Sequence, residues 1–231
     1  SRGCRCWRRH LDDRQEDEVT SEEMNQLLAR ANIYGLCALA FAFMDDDTTQ
    51  TVRDRGADIA QVMKDAGSNS EATTDALAFG RDLSEMSTDE IKQGCNELFV
   101  GRHQCRLDES EYDDNLFYRR QRIADVSEFY KAFGFERAEQ SFQRPDFVGA
   151  ELEFMCLLLL KRAYAVDRGS DEESEVCATA ESKFFNKHLE WWIPEMCDNL
   201  QEAGVSGFYT SLGSFLRSFI VNETSRYLQP A

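Results

Sequence analysis

The sequence predicts an all-α fold, a multi-helix bundle, and three observations carry that expectation. The 231 residues include only 3 prolines and 13 glycines, too few turn formers for an all-β design. Ser/Thr-x-x-Glu capping boxes recur at Thr20–Glu23, Ser68–Glu71, Ser87–Glu90 and Ser170–Glu173. In each, a hydroxyl takes an orphan N–H while the Glu reaches back to the cap. Between the boxes, apolar residues return at helical spacing. With 42% hydrophobic and 30% charged residues, the composition is globular rather than disordered.

The elements follow in order. Residues 1–19 are polar and densely charged and predict a flexible tail. A first helix is expected from about Ser21 to Met44; its end, LCALAFAFM, is apolar all round and therefore buried. The Asp45-Asp46-Asp47 turn closes it. Helices are then expected over about Thr51–Ala66, Glu71–Glu85 and Thr88–Leu98, followed by a polar loop containing Gly101. From Asn115 to Phe133, Leu116, Ile123, Val126, Tyr130 and Phe133 share helical spacing, and Gly134 supplies a stop. Glu136–Arg144 reads as a short helix or a hinge. Pro145 disfavours helix at Arg144, and Asp146 can cap a helix beginning near Phe147. That helix carries Val148, Leu152, Met155 and Leu159 on one stripe and is the expected core helix. A charged loop from Asp167 to Glu175 precedes a helix to about His188; Pro194 opens the next, and Gly204 ends it. Phe208, Leu212, Phe215, Leu216, Phe219 and Ile220 make one apolar face of the last helix. The expected organisation is a tail (1–19), an N-terminal helical subdomain (20–134), a hinge (135–147) and a C-terminal helical subdomain (148–231).

The chemistry is mostly defined by exclusion. A formal net charge of −17 argues against a nucleic-acid footprint and against anionic membrane surfaces. It fits basic partners, and equally simple solubility or adaptation to high salt. The longest apolar run falls far short of the ~20 residues of a membrane span. Eight cysteines without a CxxC pair, and no recognisable secretory signal, predict a cytoplasmic protein. There is no glycine-rich phosphate loop. The three histidines, His10, His103 and His188, are far apart, so no nucleophile–base pair can be assigned. Cys4, Cys6 and His10 lack a nearby fourth ligand, and His103-x-Cys105 is a weak zinc signal; no metal or cofactor is expected.

Three segments go further. They are NELFVG (96–101), RPDFVGAELEFM (144–155) and FFNKHLEWWIPEM (184–196), followed by FYTSLGSFLRSFI near the end. In this order and spacing the chain resembles the cytoplasmic maturation chaperones of molybdenum enzymes, the TorD, DmsD and NarJ-like family. The first segment is similar to its aromatic-x-x-Leu-Phe motif and the second to its Pro-Asp-His hinge and following helix. The third is similar to its Phe-x-x-x-His-Leu-x-x-Trp-x-Pro stretch. Cys95 stands where the family has an aromatic residue, and Phe147 where it has His.

The resemblance implies a TorD-like bundle and a non-enzymatic chaperone. Such a protein binds the N-terminal, twin-arginine type leader of a molybdopterin oxidoreductase subunit and holds the apo subunit for cofactor insertion before export. It also implies a monomer or a helix-exchanged dimer. A leader with two arginines and an apolar segment calls for carboxylates over an apolar floor. The candidate peptide-binding residues are Leu98, Phe99, Tyr112, Arg144, Pro145, Asp146, Phe147 and Glu151. Asp146 is also readable as a helix cap alone, Glu151 and Glu153 as a solvated face or as buried partners of an arginine, and His188, Trp192 and Pro194 as structural. Two other functions remain open from sequence: a metal- or thiol-dependent helical protein using His103 and Cys105, and an acidic adaptor without leader binding.

Overall fold

The computed structural model describes residues 4–100, 105–136, 143–204 and 207–227, with side chains from residue 20 onward. Among the described residues ten α-helices follow one another: α1 (Cys4–Ala40), α2 (Asp46–Gly56), α3 (Ile59–Asp65), α4 (Ser70–Glu85), α5 (Thr88–Val100), α6 (Leu116–Phe133), α7 (Val148–Asp167), α8 (Asp171–Phe184), α9 (Ile193–Glu202) and α10 (Gly207–Tyr227). A 3-10 turn (Glu109–Tyr112) lies between α5 and α6, and a π turn (Phe185–Leu189) between α8 and α9. Among the described residues the β-type pairing is limited to an isolated bridge between Asp108 and Phe147. The all-α expectation holds.

Local chemistry explains the boundaries, including those that differ from expectation. The α1 backbone is helical from Cys4, so the Thr20–Glu23 pair lies inside a helix rather than starting one. The helix ends at Ala40, before the expected Met44, because Phe41 and Ala42 donate to carbonyls three residues back and tighten the last turn. Asp45 then caps α2 through the Thr48 N–H at 2.7 Å. The helix expected over Thr51–Ala66 is two helices. Near the break, an added Cβ on Gly56 would lie 2.5 Å from Leu83 of α4, so the glycine permits close helix contact. Asn69, not Ser68, caps α4, accepting from Ala72 N at 2.9 Å. The Ser87–Glu90 box forms reciprocally: Ser87 N donates to Glu90 at 2.7 Å, and Glu90 N donates to Ser87 Oγ at 3.2 Å. Gly134 ends α6 in the left-handed region, as expected. Most of the expected Glu136–Arg144 element lies outside the described residues.

Helix α7 is the centre of the bundle. It packs against α1 and α8, while α10 packs against α4 and α9. Val148, Leu152, Met155 and Leu159, the stripe read from sequence, are fully buried. Apolar residues before and after the 144–147 bend, from Leu27 to Ile220, belong to one core cluster. Phe154 of α7 is an aromatic hub, with ring centroids 4.9 Å from Tyr130, 4.7 Å from Phe184 and 5.7 Å from Phe135. At the far side a buried charge group joins three helices: Arg30 of α1 reaches Glu223 of α10 at 2.6 Å and Glu181 of α8 at 3.8 Å. Paired charges of this kind tolerate burial because each satisfies the other. Among the described residues no helix is long and apolar enough to cross a membrane.

Candidate functional site

The bend at Arg144–Phe147 is stitched to the segment before the 3-10 turn. Glu109 N donates to Asp146 O at 2.8 Å, and Val148 N to Leu107 O at 2.9 Å. Asp146 is fully buried, and its Oδ2 accepts from Ser110 N at 2.9 Å. Sequence reading gave Asp146 to the start of α7. The structure corrects this: the N-cap of α7 is Phe147 with no side-chain cap bond, and the carboxylate serves the 3-10 turn instead. Arg144 spans the seam, with Nε 3.2 Å from Asp146 and Nη1 3.7 Å from Asp108. Phe147 folds back over the first turn of α7. An added Cβ on Gly149 would stand 2.7 Å from its ring, so only glycine leaves that space. Tyr130 of α6 donates to Pro145 O at 2.9 Å, which ties α6 to the bend.

Beneath the seam lies a buried polar cluster. Glu109, Glu151 and His188 are all fully buried. Glu109 Oε1 accepts from Trp191 Nε1 at 2.8 Å and from Arg122 Nη1 at 3.2 Å; its Oε2 lies 3.0 Å from His188 Nδ1. Arg122 also stacks 4.0 Å over the Trp191 ring. Glu151 Oε2 accepts from Trp192 Nε1 at 3.3 Å. Burial pushes the Glu151 carboxyl well above its ordinary value; the nearby Glu109 and Asp146 charges add to this, and the Trp192 bond opposes it. The sequence singled out Glu151, but it missed Glu109 and Arg122, which read as ordinary loop and surface charges.

The eight predicted site residues therefore separate by burial. Leu98, Asp146, Phe147 and Glu151 are buried. Pro145 is half-buried, and Tyr112 is wedged against Trp192 at 5.3 Å between ring centroids, its hydroxyl donating to Arg106 O at 2.9 Å. Burial raises the Tyr112 hydroxyl far above its usual range. Phe99, 38% exposed, and the Arg144 side chain, 40% exposed, reach the surface; the Phe99 ring lies 6.3 Å from that of Phe147. Among the described residues, the seam brings these side chains together in a packed joint. His103 and the side chains of Cys4, Cys6 and His10 fall outside the described residues. Cys105 is half-buried, and burial pushes its thiol up to about 11, the reverse of an activated nucleophile.

An open apolar hollow occurs elsewhere, in a groove of about 640 Å³ between α6 and α8. Phe129 and Phe133 from α6 face Val176 and Ala180 from α8. These positions recur at i and i+4 on each helix, so one stripe from each forms a wall. Val176 is 55% exposed, a large apolar side chain held in water. Glu128, Glu172 and Glu175 line the rim and have no ion-pair partner among the described residues. Asp125 is paired with Lys187 at 2.7 Å, and Lys183, also lining the groove, has no ion-pair partner among the described residues.

By class, the described residues form an all-helical bundle with an acid-lined apolar groove. Comparison with known proteins narrows the class. A family model described as "Nitrate reductase delta subunit" matches residues 44–198. That span contains the seam, the buried cluster and both walls of the groove. The chain is 29% identical over 104 residues to the selenate reductase assembly chaperone protein of Thauera selenatis, covering 45% of this chain and 52% of that relative. It is 23% identical over 215 residues to the perchlorate reductase assembly chaperone protein of Dechloromonas aromatica (strain RCB), covering 88% and 92%. The chain thus spans about half the length of the first relative and nearly all of the second. It belongs to the nitrate reductase delta subunit family, the NarJ/TorD-type maturation chaperones of molybdenum enzymes. The relatives are named as assembly chaperones, not as enzymes.

Proposed function

We propose that this chain is a cytoplasmic assembly chaperone that captures the twin-arginine type leader of a molybdopterin reductase subunit and holds the apo subunit until its cofactor is inserted. The observation that carries this reading is the groove between α6 and α8. A leader offers two arginines beside an apolar segment. The groove offers Phe129, Phe133 and Val176 as floor and walls, and three unpaired carboxylates, Glu128, Glu172 and Glu175, along the rim. Guanidinium–carboxylate pairing at a rim fixes orientation and raises encounter rate, while burial of the apolar segment supplies the affinity. The Lys183 stem adds apolar surface to the wall while its ammonium stays in water.

In this reading the seam is the groove's foundation. Tyr130 ties α6 to Pro145, and Glu109 ties Arg122 of α6 to His188 in the π turn that follows α8. The predicted residues Leu98, Tyr112, Pro145, Asp146, Phe147 and Glu151 then hold the two walls in place, and Phe99 and Arg144 form the outer edge of that joint. The test is a fluorescence-anisotropy titration with a synthetic peptide carrying two consecutive arginines and an apolar segment. Saturable binding is expected, weakened by salt and by the triple change Glu128→Gln, Glu172→Gln, Glu175→Gln. Affinity unaffected by the triple change removes the groove from the site; absence of binding to the unaltered protein removes leader capture.

A further inference from the structure

We propose that Glu109, Glu151 and His188 form a buried binding site for one divalent first-row transition ion of the zinc or manganese kind. The inference does not depend on leader binding. One donor atom from each of the three side chains lies within 4.8 Å of the other two, and all three residues are fully buried. They come from three separate elements: the 3-10 turn, α7 and the π turn. π turns are rare and concentrate at functional positions.

Two atoms of the cluster, Glu151 Oε1 and His188 Nε2, are buried with no hydrogen-bond partner among the described residues. Unsatisfied buried polar atoms cost about 1–3 kcal/mol each, and native proteins keep few of them. The remaining donors are arranged as outer support. Arg122 and Trp191 hold Glu109 by Oε1, and Trp192 holds Glu151 by Oε2, while the second Glu109 oxygen lies against His188. The imidazole has one nitrogen 3.0 Å from Glu109 and the other unused. Donors that fix a ligand through its second atom are the usual outer shell of a protein metal site.

The ligand set selects the ion. Two carboxylate oxygens and an imidazole nitrogen suit zinc, manganese or iron; the imidazole disfavours calcium and magnesium, and no thiolate is present to favour copper(I). Bonds of about 2.0–2.2 Å to a shared ion require the three donors to draw together by side-chain rotation. An ion here would clamp the 3-10 turn, α7 and the π turn to one another.

The test uses full-length protein stripped with chelator. Zn²⁺ or Co²⁺ is added either to the native protein or during refolding from denaturant, which admits an ion even if the native site does not open. After desalting, the proposal expects one ion per chain, a melting temperature that rises with ion concentration, and Co²⁺ absorption bands free of thiolate charge transfer. Glu151→Gln keeps the side-chain volume and the Trp192 acceptor and is expected to weaken binding at least about tenfold; His188→Gln is the second variant. Glu85→Gln, on the surface of α4, is expected to leave ion retention unchanged. Retention of neither ion by either route overturns the proposal. Thiolate bands, or equal binding by folded Glu151→Gln protein, also overturn it.

Discussion

Asp146 Oδ2 accepts the backbone N–H of Ser110 at 2.9 Å, 36 residues away in the chain, with both residues fully buried. One carboxylate therefore closes the seam between the bend and the 3-10 turn. Asp146→Ala would leave that N–H without a partner and remove one of the groups that hold Arg144. Loss of a buried, charge-assisted bond costs about 1.5–3 kcal/mol, so urea unfolding should show a destabilisation of that size. A leader-contact role for Asp146 alone would leave the unfolding midpoint in place.

Gly149 is a second fixed point of the bend. A methyl group there meets the Phe147 ring at 2.7 Å and the Ala38 carbonyl at 3.4 Å. Gly149→Ala should destabilise the fold by about 1–3 kcal/mol through overpacking, despite alanine's better helix propensity. Thermal unfolding measures it; an unchanged or raised melting temperature would show that Phe147 moves aside freely.

Much of this was legible in the sequence. The core stripe of α7 and the apolar face of α10 appear directly as periodicity, because burial on a helix imposes its own spacing. The Ser87–Glu90 box and the Gly134 stop were readable for the same reason: cap and box lie within one turn of chain. The role of Asp146 was not. Pro-Asp before an apolar run reads as a local cap, whereas its partner Ser110 sits in a distant loop that no local rule connects to it. Glu109 was missed likewise, since its partners Arg122, His188 and Trp191 lie 13, 79 and 82 residues away. The groove was invisible because α6 and α8 each look like an ordinary amphipathic helix; that their stripes face each other across open space is a tertiary fact.

The aromatic hub gives a stability prediction. Phe154 is buried against Tyr130, Phe135 and Phe184. Phe154→Ala should cost about 3–5 kcal/mol, the usual range for emptying a core aromatic site. Chemical denaturation checks it, and a cost below 1 kcal/mol would mean that α6 closes over the void.

Glu181 supplies a pH dependence. Burial holds its carboxyl above the ordinary value, outweighing the attraction of Arg30 and Arg162. The folded chain therefore keeps this proton at a pH where the unfolded chain has released it. The contribution to stability is complete below the ordinary value of about 4.3 and is lost as pH rises from there through the raised value. Glu181→Gln removes that loss. The difference in unfolding free energy between the variant and the unaltered protein should shift in the variant's favour from pH 4 to pH 7. A difference independent of pH would show that burial leaves the Glu181 carboxyl at its ordinary value.

The groove between α6 and α8 is tested most directly by photo-cross-linking. A twin-arginine leader peptide carrying a photoreactive group in its apolar segment is bound, irradiated and mapped by mass spectrometry. Adducts are expected on Phe129, Phe133 or Val176, the groove residues. Adducts confined to Phe99, Tyr112 or Arg144 would contradict the groove and place capture at the bend.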